Sequence, residues 1–317
     1  MRRRLLLAQA AGLAGTIHLP LSAQPARVPR VGFLIAGDPE PSWSLFRKAM
    51  DGLGHAEGRT IHYEFRSSDA NRERLAAHAA SLVRAKVDII VAVLTPAILA
   101  AKQATDKIPI VFNGGAPETG IVRNIARPEG NLTGVHGATT ELAGKSIQLF
   151  RDIKPSTRAI GVLLNAPDPF NVPLRQDIEA AAKAQRIDIV PQMVSTAQDL
   201  APAFDTLAQR GVDGIVIQPS LPIRDVAMLA MRHRLPSVSY RRQFADVGGL
   251  FSLGADQAEL YRLLAGYVGR VLKGTAIADL PVQKATHFEL VLNQRTAKAM
   301  GLSFSPMFLG RVDEVIE

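Results

Sequence analysis

The sequence predicts an α/β protein made of two lobes, each a doubly wound parallel sheet with helices on both faces. Short runs rich in Val and Ile alternate with longer segments of helical period along the chain, the pattern of parallel strands joined by crossover helices. The first half also recurs in the second. Arg30-Val31-Gly32-Phe33-Leu34 returns as Ala159-Ile160-Gly161-Val162-Leu163, and Val87-Asp88-Ile89-Ile90-Val91 as Val212-Asp213-Gly214-Ile215-Val216. Ile108-Pro109-Ile110-Val111 returns as Leu235-Pro236-Ser237-Val238, so that Gly32, Asp88 and Pro109 meet their copies after 129, 125 and 127 residues. A unit this long is no solenoid repeat; at 317 residues the chain holds two domains of about 150 residues each.

The elements follow in order. Arg2, Arg3 and Arg4 precede an apolar stretch from Leu5 to Leu21, and small residues at Ser22-Ala23 precede Gln24-Pro25. This is the form of a secretory signal peptide cut after Ala23, which places the mature chain in the periplasm. Arg2-Arg3 ahead of Leu5-Leu6 also permits the twin-arginine route. Gln9, Gly12, Gly15, His18 and Pro20 make the stretch too weakly apolar for a membrane span. Strands are expected at 28–36, 60–66, 87–93, 108–113 and 132–136, and again at 159–165, 188–194, 214–218, 237–240, 250–253 and 288–292. Helices are expected between them at 71–84, 96–105, 142–153, 172–185, 201–209, 224–232 and 257–272. Thr95 suits a helix N-cap and Pro96 the first helical position, where a missing N–H costs nothing.

Hydrophobic residues make up 47% and charged residues 21%, as in a globular protein with full cores. Without Arg2, Arg3 and Arg4 the chain carries 34 basic and 29 acidic residues, a net charge of +5. These charges are spread over many helices, with no basic and aromatic interleaving, so nucleic acid is not an expected partner. The absence of cysteine excludes disulfides and thiol catalysis.

Enzymatic signatures are missing. The loops after the first strand and its copy read Gly37-Asp38-Pro39-Glu40-Pro41 and Ala166-Pro167-Asp168-Pro169, neither of them a glycine-rich phosphate cradle. Gly52-Leu53-Gly54 falls at a helix end, where glycine caps. There is no G-x-S-x-G elbow, and the seven histidines form no metal-ligand pair at i, i+4. No catalytic residue, metal or cofactor is expected. Asn131-Leu132-Thr133 matches a glycosylation sequon but opens a strand, which makes it structural.

What remains is a cleft. In open parallel sheets ligands sit outside the carboxyl ends of the strands, and two facing lobes contribute two sets of such ends. The candidate ligand-binding residues are Trp43, Thr95, Pro96 and Asn113 from the first lobe, with Asp168, Phe170, Gln218 and Tyr240 from the second. Hydroxyls, amides and aromatics suit reversible binding more than proton transfer. Helix starts at Thr95-Pro96 and near Asp168–Phe170 could hold an anionic group. Trp43 is weighed as packing for the first helix or as a flat wall for the ligand, with Phe170 and Tyr240 across the cleft.

The chain resembles the solute-binding proteins of ABC importers, in the family typified by tryptophan- and tyrosine-uptake binding proteins. The resemblance spans essentially the whole mature chain. It is carried by Thr95-Pro96-Ala97, Ala126-Arg127-Pro128-Glu129-Gly130-Asn131-Leu132-Thr133-Gly134, Glu141-Leu142-Ala143-Gly144-Lys145, Asp279-Leu280-Pro281-Val282, Phe288-Glu289-Leu290-Val291-Leu292-Asn293 and Asp313-Glu314-Val315-Ile316-Glu317, in that order. Members usually write Gly-Asp-Pro where this chain has Gly115-Ala116-Pro117, and Ser-Tyr-Gly where it has Ser252-Leu253-Gly254; both departures fall at strand ends facing the expected cleft. The resemblance implies the type I periplasmic binding protein fold, with three crossovers between the lobes. After a signal peptide at 1–23, the first lobe is expected from 28–137 plus 252–280 and the second from 138–251 plus 281–317. The implied function is capture of a small organic solute, an amino acid or an aromatic or carboxylate compound, by hinged closure. The implied partners are an importer's membrane permease and its ATPase, served by a monomer. A ligand-sensing domain is the alternative.

Overall fold

A computed structural model describes residues 27–68 and 72–317; the expected export segment lies outside the described residues. The first sheet contains β1 (Arg30–Ile35), β2 (His62–Ser67), β3 (Ile89–Val93), β4 (Ile110–Asn113) and β5 (Leu132–His136). The second contains β6 (Ala159–Asn165), β7 (Asp188–Val194), β8 (Gly214–Ile217), β9 (Ser237–Ser239) and β10 (Phe251–Ala255). Three late strands complete them: β11 (Gln283–Lys284) joins the first sheet, while β12 (Phe288–Asn293) and β13 (Glu314–Ile316) join the second. The spatial orders are β2-β1-β3-β4-β5-β11 and β7-β6-β8-β9-β10-β12-β13, one design used twice.

The helices are α1 (Ser42–Gly52), α2 (Arg72–Arg84), α3 (Thr95–Ala104), α4 (Ala143–Ile153), α5 (Asn171–Ala184), α6 (Leu200–Gln209), α7 (Ile223–Arg232), α8 (Arg242–Asp246), α9 (Gln257–Leu272), α10 (Gln294–Met300) and α11 (Pro306–Leu309). They cover both faces of each sheet because the strands are apolar on both. Val31, Phe33 and Ile35 join one core with α1 and α9, while Leu34 joins another under α2 and α3. In the second lobe Ile160, Val162 and Leu164 face one core and Leu163 the other. This strict alternation is the period-two geometry of a strand.

The repeat holds down to register. Gly32 pairs with Ile90, and Gly161 with Ile215, each partner lying two residues beyond its copy of the Asp. A Cβ on Gly32 would sit 3.1 Å from the Leu82 methyls, and one on Gly161 would sit 2.7 Å from a methyl of Leu207. Both glycines are thus crowded by a leucine from the equivalent helix packed on the equivalent strand. Asp88 accepts the Arg30 backbone N–H at 2.7 Å, and Asp213 accepts those of Arg158 and Ala159 at 2.7 and 3.2 Å. The repeated Asp ties one strand to the start of its neighbour.

The chain crosses between sheets after β5, after β10 and after β11. We place the lobe boundaries at those crossings. The sequence-based bounds put 252–255 in the first lobe and 281–284 in the second, but Phe251 and Ser252 pair with β9, Phe251–Ala255 with β12, and Gln283–Lys284 with β5. The sheets are mostly, not wholly, parallel: β12 runs antiparallel to β10, because it enters the second sheet from the opposite end after the return through the first lobe. The strand starting at Leu132 accounts for the sequon: Asn131 Nδ2 donates to the carbonyls of Thr105 and Ile108 at 3.1 and 2.8 Å.

Candidate functional site: the cleft between the lobes

The carboxyl ends of both sheets face one another across a narrow cleft with about 640 Å³ of empty space, open solvent included, of which about 70 Å³ is room for water-sized contents. Its walls include Thr95, Asn113, Gly115 and Glu118 from the first lobe and Asp168, Phe170, Ser220, Tyr240 and Arg241 from the second, with Leu260 and Tyr261 from α9. A second chamber adjoins it at Ser220 and is lined by Pro96, Gln103, Asn165 and Thr196 among others. Five of the eight expected residues line the first chamber and Pro96 lines the second.

Thr95 is not an N-cap. The cap position is Leu94, held at φ 71°, a left-handed conformation that costs a non-glycine residue about 1–3 kcal/mol. The Thr95 hydroxyl instead accepts the Gly115 N–H at 3.2 Å and ties α3 to the loop after β4. The start of α5 is not a free anion site either, since the chain's own Asp168 occupies it. Asp168, 2% exposed, accepts the Phe170 N–H at 3.0 Å, the Ser220 hydroxyl at 2.5 Å and Gln218 Nε2 at 2.8 Å. Burial pushes its carboxyl above the usual carboxylate range, against the pull of its hydrogen bonds to Ser220, Phe170 and Gln218. Gln218 is fully buried and accepts the Asn165 N–H at 2.9 Å, so it stands behind the wall and positions Asp168.

Tyr240 presents its ring to the cleft, but its hydroxyl turns away to Ser146 of α4 at 3.1 Å, and burial pushes its pKa up. Phe170, 5% exposed, reaches across the cleft to the backbone of Gly115, where a Cβ would lie 2.3 Å from the ring. Further hydrogen bonds bridge the lobes: Arg224 Nε donates to Asp38 Oδ2 at 3.2 Å, and Gln243 Nε2 donates to the Glu40 carbonyl. This is a closed arrangement.

Trp43 is not in the cleft. It sits in an aromatic cluster on the first sheet, with ring centroids 5.0 Å from Phe33 and Phe65 and 5.1 Å from Tyr63, and Arg47 over its face at 5.6 Å. The second residue of α1 faces β1 and β2, so the wall reading gives way to packing. Trp43→Ala is expected to lower stability by about 2–4 kcal/mol and to leave solute affinity unchanged, as chemical denaturation and titration calorimetry on the same variant would establish.

Six of these wall residues lie outside the expected set: Gly115, Glu118, Ser220, Arg241, Leu260 and Tyr261. Arg241 directly follows the expected Tyr240, and Glu118 directly follows Gly115-Ala116-Pro117. Tyr261 lies on α9 and reaches the cleft only because that helix returns to the first lobe.

Two doubly wound lobes joined by three crossings around such a cleft define the type I periplasmic binding protein fold. The chain belongs to the ABC transporter substrate-binding protein family, whose description it matches over residues 43–316; the family binds solutes rather than transforming them and works outside the cytoplasm. A tyrosine-binding protein of Clostridioides difficile is 25% identical over 265 residues, which is 81% of this chain and 75% of that protein. Among solved structures, a conserved domain protein from Vibrio cholerae superposes with a TM-score of 0.84 at 22% identity, covering 92% of this chain and all of that one. An ABC domain from Streptococcus pneumoniae in complex with L-Trp superposes at 0.82 and 22% identity, covering 91% and 99%. Among the described residues no helix is long and apolar enough to cross a membrane, and no cluster of side chains could hold a metal ion.

Proposed function

We propose that this chain is the extracytoplasmic solute-binding component of an ABC importer. It captures a small organic solute, an amino acid or an aromatic or carboxylate compound, in the first chamber and presents the closed form to the permease and its ATPase as a monomer. The observation that carries this reading is the seat of Phe170 from one lobe against Gly115 of the other, directly beside the wall polar groups. A solute that bridges these walls shifts the open–closed equilibrium by its differential affinity for the two forms. The tyrosine-binding relative and the L-Trp complex support an amino acid as the solute.

A thermal-shift screen of L-amino acids, aromatic acids, hydroxy acids and neutral sugars tests it. A solute present at a hundred times its dissociation constant stabilises by about 2.7 kcal/mol, a clear rise in midpoint. A folded protein whose midpoint no compound moves would contradict the reading. Export is tested separately: mass spectrometry of periplasmic protein is expected to find a mature start at Gln24, and retention of the full chain in the cytoplasm would exclude an importer role.

A further inference from the structure

Arg241 is a buried cation without a counter-ion among the described residues. It is 7% exposed, it lines the cleft, and the hydrogen bond it makes is from Nη2 to Ser42 Oγ of the other lobe at 2.7 Å. Among the described residues no carboxylate forms an ion pair with it. The neighbouring Arg242 is taken by Asp246 and Glu314, and Asp38 is taken by Arg224. Burial lowers the guanidinium from its usual pKa, yet an arginine stays charged in proteins. A guanidinium has five donors, and an unpaired charge taken from water carries a penalty of several kcal/mol.

The surroundings complete an anion cradle. The Tyr261 hydroxyl is buried with no hydrogen bond of good geometry, although it lies beside Ser42 and Asn113, and it faces Arg241 from α9. Also on the wall, Glu118 Oε1 contacts His136 Nδ1 at 2.9 Å, while its buried Oε2 has no hydrogen-bond partner among the described residues. One buried cation with a spare hydroxyl, and one spare acceptor, are three unmet groups on the wall of one chamber.

We infer that Arg241 is the anchor for a carboxylate on the solute, with Tyr261 and Ser42 beside it, and that Glu118 accepts a hydrogen bond from a donor, an ammonium or a hydroxyl, elsewhere on the same compound. The inference rests on the solute-binding reading and narrows it to carboxylates. Because Arg241 belongs to the second lobe and Ser42 and Tyr261 to the first, the carboxylate also joins the lobes. Arg–carboxylate pairs are commonly bidentate, which makes this contact selective against the matching carboxamide.

The test is titration calorimetry with the best-binding carboxylate of the screen and with its carboxamide, on wild type, Arg241→Met, Arg241→Lys and Tyr261→Phe, beside thermal unfolding without solute. The carboxamide and Arg241→Met are each expected to weaken binding by roughly 30-fold or more. Arg241→Lys should recover part of the loss, and Tyr261→Phe should weaken binding about fivefold. Without solute, Arg241→Met should unfold at the same or a higher temperature, since it removes an uncompensated charge. Should Arg241→Met misfold, Tyr261→Phe and the carboxamide carry the test alone. Equal affinity for carboxylate and carboxamide would overturn the inference, as would a destabilised Arg241→Met that binds normally. A neutral sugar as the only compound bound would overturn it while leaving solute capture standing. No binding by any class would remove both.

Discussion

Asp168→Ala is expected to lower stability by about 2–4 kcal/mol and to abolish measurable solute binding. Its carboxylate collects Phe170 N–H, the Ser220 hydroxyl and Gln218 Nε2, donors that hold the starts of α5 and the loop after β8 together. Truncation leaves buried donors unpaired, and the wall made by Phe170 and Ser220 loses its position. The pH dependence has a defined sign. Burial sets the folded pKa above the unfolded value, so this group's contribution is fully present below the unfolded pKa of about 3.9 and is lost as pH rises through the folded one. Asp168→Asn keeps most of the contacts and is expected to remove that part of the slope. Urea denaturation of the three proteins across the acidic range would separate the two effects; identical pH profiles would mean that Asp168 holds its proton equally in the folded and unfolded states.

Gly115→Val is expected to leave each lobe folded and to weaken solute binding by roughly 5- to 150-fold. The added Cβ would stand 2.3 Å from the Phe170 ring and 3.1 Å from the Thr95 hydroxyl. Withdrawal of Phe170 is opposed by its place in the core of the second lobe. Relief therefore comes from holding the lobes apart, and overpacking of this kind costs about 1–3 kcal/mol, which is subtracted from closure. Calorimetric affinity and an unfolding curve measure both halves of the expectation. An unchanged affinity would mean that solute is held without the lobes meeting at this point.

The fold was legible because it is written twice. Gly32 and Gly161, and Asp88 and Asp213, occupy matching places in their sheets, so local chemistry and long-range repetition agreed. The short β11 and β13, with two and three residues, carry no periodic signal. The antiparallel β12 could not be read either, since direction depends on where the chain re-enters the sheet. At the cleft, strand ends can be read from the sequence, but side-chain direction within them cannot. Trp43 turns to β1 and β2 because of helix phase, Tyr240 turns its hydroxyl to Ser146, and Gln218 supports Asp168 from behind. The isolation of Arg241 is a tertiary fact: Arg241 and Arg242 are adjacent in sequence, and only packing gives one of them its carboxylates.

Closure around a solute is the central claim, and the chain's lack of cysteine makes it directly measurable. Lys48→Cys on α1 and Met228→Cys on α7 place spin labels on two exposed positions in different lobes. Distances from pulsed electron resonance are expected to be broad and long without solute, and to collapse to one shorter population when the best compound of the screen saturates the protein. The same labels on Gly115→Val should stay long at that concentration. A distance distribution that does not move while calorimetry shows the solute bound would contradict hinged capture in this cleft.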